Sequence, residues 1–181
     1  MRRLAFALAA LAVIGAAPAL ATSMKEYIGA DHDYSYEYPS DFELATAKVD
    51  GSGNRTGVTA SSMENGDVVM EVTSKAAGQI ASVSDDSMTA FVDQYREAQK
   101  ENPRATFISM SSATMLGQPA ADMIFEEAFG PKKDFKRVLR IVATVTDGKE
   151  FALTCIYGRD KEAKFAPACD HAAKTLKLLK K

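Results

Sequence analysis

One cysteine on a strand and one on the helix that follows it constrain this chain more than any other feature. In "EFALTCIYG", Phe151, Leu153 and Cys155 alternate and so share one strand face. In "FAPACDHAAKTLKLL", Phe165, Cys169, Ala172, Leu176 and Leu179 follow the spacing of a helix stripe. The helix must therefore lie on the sheet, with both sulfurs directed into one core. The sequence has two cysteines in all. An even count in an oxidising compartment favours a Cys155–Cys169 disulfide over two buried thiols. Closing a loop of about 15 residues, such a bridge stabilises by about 3 kcal/mol in the chain-entropy model. With no Cys-x-x-Cys spacing, the pair reads as a structural staple.

The N-terminus supplies the compartment. Met1-Arg2-Arg3 is a positive n-region, Leu4 to Ala17 is apolar, Pro18 breaks the run, and Ala19-Leu20-Ala21 has the small-x-small pattern that a signal peptidase reads. The expectation is a secretory signal peptide over residues 1–21, cleaved after Ala21, with an uncleaved anchor as the alternative. Residues 22–181 then form one domain, of a length that buries about 70% of its unfolded surface. Loss of Arg2 and Arg3 takes the net charge from −2 to −4. A mildly acidic exported chain lacks the basic footprint of a nucleic-acid binder. No second long apolar run follows, so the mature chain is expected to be soluble, without a membrane span, in the periplasm of a Gram-negative-type cell.

The rest of the sequence reads as short strands interrupted by two helices. Tyr34 to Tyr38 and Phe42 to Val49 are strand-like. "DGSGNRTG" is a loop, and Asn65-Gly66 is a preferred pair for a two-residue hairpin turn. A first helix carries the stripe Met88, Phe91, Val92, Tyr95 and Ala98, with Asp85, Asp86 and Ser87 as caps and Asn102-Pro103 as its stop. Strands then run in series, "ATFISMSSATML", "AADMIFEEAF", "FKRVLRIVATVT" and "EFALTCIY", with a turn at Gly117-Gln118-Pro119. At Thr146-Asp147-Gly148 a three-residue loop is expected, because a two-residue turn would put Ile141 and Ala143 out of level with Phe151 and Leu153. Pro167 should enter the terminal helix near its first turn. The fold class is α+β, a mostly antiparallel sheet of about seven or eight strands flanked by two helices.

Three stretches resemble the PsbP-like family, whose fold is shared with a eukaryotic Ran-binding import factor and many bacterial exported proteins. They are "YSYEYPSDF", "MLGQPAADMIF" and "DGKEFALTCIYGRDKEAKFAPACDHAAKTLKL", and the order of elements matches from about Tyr27 to Leu179. Phe42 stands where many members have Trp, a departure that suggests a divergent branch; the resemblance is to the family's bacterial exported branch. The resemblance implies an α/β/α sandwich and a binding role, since members act as extrinsic subunits, adaptors or accessory factors of larger assemblies. It offers no catalytic residue to carry over.

Several residues are candidates for chemistry. Tyr34, Tyr36 and Tyr38 share one face, either as a core wall under a helix with Ser35 and Glu37 facing water, or as a ligand platform. Asp31, His32 and Asp33 are a metal-capable trio, but consecutive residues rarely converge on one ion, and the other histidine, His171, stands far off in sequence. Lys132, Lys133, Lys136 and Arg137 form a basic cluster, as do Lys174, Lys177, Lys180 and Lys181; each is either a solvated face or a contact surface for an acidic partner. There is no Gly-x-Ser-x-Gly, no Ser-x-x-Lys and no phosphate-loop lysine. Glu126 and Glu127 point to opposite strand faces, so they make no acid/base couple. The sequence-level expectation is a non-catalytic module, without cofactor, that engages an envelope protein. The alternative is a small-ligand or metal-binding periplasmic protein.

Overall fold

A computed structural model of the chain describes residues 23–29, 34–47, 56–62, 68–129 and 135–179. The expected signal peptide, the trio Asp31, His32 and Asp33, the Asn65-Gly66 turn, Lys132, Lys133, Lys180 and Lys181 lie outside the described residues.

The centre is a hairpin of β8 (Phe135–Thr146) and β9 (Lys149–Gly158), with Thr146 opposite Lys149. Asp147 and Gly148 alone make the turn, at φ 51° and 69°, as a type I′ turn requires. The expected three-residue loop is thus incorrect. It presupposes a single buried face, whereas both faces of this hairpin are covered. Val138, Val142, Phe151, Leu153, Cys155 and Tyr157 belong to one core, and Ile141, Ala143, Val145 and Ala152 to the other. A second hairpin, β6 (Ala105–Met115) with β7 (Gln118–Phe129), turns at Leu116 and Gly117, at φ 56° and 71°. The turn therefore comes earlier than expected, and Gln118 and Pro119 open β7.

Strands β3 (Glu43–Ala47), β4 (Thr56–Ser62) and β5 (Val68–Ala76) complete a seven-stranded sheet, ordered β3-β4-β5-β9-β8-β7-β6. Every neighbouring pair is antiparallel. Ser62 stands opposite Val68.

Helix α1 (Asp85–Lys100) covers one face, burying Met88, Phe91 and Val92 against Met123, Phe125, Ile141 and Val145. Its cap is Ser84 rather than Asp85, Asp86 or Ser87. The Ser84 hydroxyl accepts from the Ser87 N–H at 3.3 Å, and the Ser87 hydroxyl accepts from the Ser84 N–H at 2.9 Å. This reciprocal box leaves Asp85 and Asp86 in the first turn, where their charge suits the helix dipole.

The other face is covered by α2 (Glu162–Thr175) and by a second, three-stranded antiparallel sheet, β1 (Met24–Gly29), β2 (Tyr34–Pro39) and β10 (Lys177–Leu178), with β2 in the middle. The tyrosine strand is thus part of a separate layer rather than of the main sheet. Helix α2 buries Phe165, Ala168, Cys169, Ala172 and Ala173. Pro167 lies inside it, beyond the first turn where it was expected. The Cys155–Cys169 disulfide joins β9 to α2 with Cα atoms 6.2 Å apart, pinning the helix that the proline weakens.

Candidate functional site

The tyrosine row lies between the two sheets. Tyr34 and Tyr36 are fully buried and Tyr38 is 8% exposed. The Tyr34 hydroxyl donates to the Val72 carbonyl at 3.0 Å, and its ring meets Phe151 edge-on. Burial, reinforced by the neighbouring Tyr34, pushes the Tyr36 hydroxyl well above its ordinary range, so the ring is a neutral core element. Ser35 does not face water as expected but is also buried, because β2 is the central strand of its sheet. Glu37 hydrogen-bonds His171 Nε2 on α2 at 2.5 Å, and its backbone N–H donates to the Thr175 hydroxyl.

A charged clamp ties α2 to the main sheet. Arg140 on β8 donates through Nε and a terminal nitrogen to both oxygens of Asp122, at 2.9 and 2.7 Å, and also to Asp170 at 2.7 Å. Arg140 and Asp122 are mostly buried, at 14% and 12% side-chain exposure. Tyr157 belongs to the same region, and burial lifts its hydroxyl to about 12. Under α1, the Tyr95 hydroxyl donates to the buried Glu150 at 2.6 Å, and Lys75 reaches the same oxygen at 3.0 Å. Burial first, and then the Glu150 charge, push Tyr95 far above its ordinary value.

Three of the basic candidates in described segments are engaged, while Lys174 stands exposed on α2. Lys136 pairs with Glu126 and Arg137 with Glu127, each at 2.6 Å, while Lys177 pairs with Glu26 at 2.9 Å. Glu126 and Glu127 thus have different partners. Burial pushes Glu127 up, but hydrogen bonds from Arg137 and Asn102 outweigh it and leave the carboxyl below its ordinary value. Among the described residues no group of three or more His, Cys, Asp or Glu is placed to hold a metal ion, and no helix is long and apolar enough to cross a membrane.

One accessible feature was not anticipated from the sequence. A cleft of about 260 Å³ opens between the C-terminal half of α1 and the start of β6. Phe107 and Phe125 form its floor, their rings edge-to-face at 5.4 Å. Arg96, Gln99, Lys100 and Asn102 form the polar rim, and the Arg96 guanidinium lies 4.9 Å from the centre of the Phe107 ring. The residues lining it include two cations and no carboxylate. The cleft runs into β6, the outermost strand of the seven, whose outer edge pairs with no described strand. Ile108 and Met110 stand 48% and 45% exposed on that strand. The signal was present in the sequence. A quarter of the residues are charged, yet none occurs between Arg104 and Asp122.

No family model and no curated protein matches the chain. Solved structures do. The solution structure of cyanobacterial PsbP (CyanoP) from Synechocystis sp. PCC 6803 matches with a TM-score of 0.63 at 16% identity, covering 94% of this chain and 98% of that one. The Ran-binding protein Mog1p of Saccharomyces cerevisiae matches with a TM-score of 0.55 at 10% identity, over 87% of this chain and 96% of its own. LpqN of Mycobacterium tuberculosis, a protein involved in cell envelope biogenesis, matches with a TM-score of 0.53 at 14% identity, over 87% of this chain and 92% of its own. Identities this low speak for architecture alone: the chain has the α+β PsbP-like fold, shared with the yeast Ran-binding protein.

Proposed function

We propose that this chain is an exported, non-catalytic binding module that engages a protein partner in the cell envelope. The observation that carries the reading is the β6 edge. It is eleven residues long, uncharged and largely exposed, and it stands beside an aromatic-floored cleft. Sheet edges that meet only water are usually short or blunted by lysine or proline; this one is neither, although a β-bulge between Phe107 and Ser109 interrupts it near one end. The Ran-binding role of Mog1p and the envelope role of LpqN, on the same fold, support a protein-binding and envelope-directed reading. The disulfide fits an oxidising compartment, and the sequence of residues 1–21 fits a signal peptide removed on export to the periplasm.

The test is expression of the full chain with a C-terminal tag in a Gram-negative host closely related to its source. Intact mass would show whether the N-terminus is Thr22. Cross-linking, a high-salt wash and identification of co-purifying proteins would follow. The reading expects a mature periplasmic chain and one dominant envelope protein. A cytoplasmic chain that keeps residues 1–21, or nothing above background under several growth conditions, would refute it.

A further inference from the structure

We propose that the β6 edge and the α1–β6 cleft form one docking groove for an extended peptide segment that carries a large apolar residue beside an aspartate or glutamate. This rests on the reading of the chain as a partner-binding module and names the chemistry of the partner. Two observations converge. The outer edge of β6 pairs with no described strand, and such an edge is completed by adding a strand, with backbone hydrogen bonds giving affinity and side-chain pockets giving specificity. The bulge between Phe107 and Ser109 breaks the regular ladder, so the incoming strand pairs along Ser109 to Thr114. Its end then lies at the cleft, where Ala105 and Phe107 of the same strand are lining residues.

The cleft sets the side chain. A volume of about 260 Å³ with an aromatic floor suits one large apolar side chain and its neighbouring backbone. The rim sets the charge. Arg96 and Lys100 line the cleft with no carboxylate among the lining residues. Each is held by an acid on its own helix, Asp93 at 3.0 Å and Glu97 at 2.5 Å, in pairs whose side chains are more than half exposed. Exposed pairs of this kind contribute little. A carboxylate brought into the partly desolvated cleft next to an aromatic ring competes with them effectively.

The experiment selects a random dodecapeptide phage library on the immobilised mature protein. The enriched peptides are synthesised and titrated by fluorescence anisotropy, and amide shifts are mapped by NMR. The expected result is a shared pattern of a large apolar residue next to Asp or Glu, with shifts along Ala105 to Thr114. Binding should be at least tenfold weaker to Arg96→Glu/Lys100→Glu and to Met110→Lys, and weaker in high salt. These sites are exposed, and unchanged thermal unfolding would show that the variants fold. No enrichment, enriched peptides lacking acids, unchanged affinity for the variants, or shifts confined to another surface would each overturn the proposal. A partner captured in cells equally well by Arg96→Glu/Lys100→Glu would overturn this groove and leave the broader reading intact. Peptide binding at the groove with no partner in cells would do the reverse.

Discussion

Replacing Arg140 by methionine tests what holds α2 on the sheet. The guanidinium serves two carboxylates in different surroundings: Asp122 at 12% side-chain exposure and Asp170 at 48%. Removing it strands Asp122, a carboxylate with little access to water that loses a bidentate partner. Breaking a buried pair from one side costs about 3–5 kcal/mol, because the desolvation penalty of the remaining charge is no longer offset. The link to Asp170 reaches into water and is worth less than about 1 kcal/mol. Arg140→Met should therefore destabilise by about 3–5 kcal/mol and Asp170→Asn by less than about 1. Arg140→Met/Asp122→Leu should recover most of the loss, since an apolar pair of similar volume often matches a buried ion pair. Urea unfolding followed by near- and far-ultraviolet circular dichroism at pH 7 gives all three values, provided the denaturant slope stays constant. If Arg140→Met lies within about 1 kcal/mol of wild type, or the double variant is less stable than Arg140→Met alone, the buried-clamp reasoning is wrong.

Other outcomes follow from the same contacts. Tyr95→Phe removes the hydroxyl that donates to buried Glu150 while Lys75 remains; the expected loss, read by urea unfolding, is about 1–3 kcal/mol. Cys155→Ala/Cys169→Ala should lower stability by about 3 kcal/mol, and a reductant should have no further effect on that variant. Glu127 is held below its ordinary value of 4.5, so its stabilising contribution is complete above that pH and is lost as pH falls through the lower folded value. Acid unfolding curves of Glu127→Gln should accordingly be flatter below pH 4.5 than those of wild type. A variant with the wild-type slope would remove Glu127 from the acid response.

How much of this was legible depended on whether a feature is local. The alternation in β8 and β9 and the Phe165, Cys169 and Ala172 spacing in α2 are local patterns, and they led to the cysteine pair; the same stripe extends the helix to Leu179, whereas it ends at Thr175 and Lys177–Leu178 form β10. The Asp147-Gly148 turn is not legible locally, because its register depends on what covers the far face of the sheet, and α1 reaches that face from a distant part of the chain. For the same reason Ser35 read as solvent-facing: β1 and β10, which flank β2 and bury it, are short and lack strong alternation. Ser84 directly precedes two aspartates that are equally good caps by residue type, and the reciprocal Ser84–Ser87 pairing matches a capping box with serine in place of the usual glutamate. The cleft needed residues from α1, β6 and β7 to converge, and only the uncharged run after Arg104 hinted at it.

The most direct test is photo-cross-linking in living cells from a single benzoylphenylalanine placed at Met110 on β6, with the same probe at the exposed Lys174 on α2 as control. The account predicts one dominant envelope protein cross-linked from Met110, not from Lys174, and lost when Arg96→Glu/Lys100→Glu is added. Equal labelling from both positions, or a partner labelled from Lys174 alone, would contradict it.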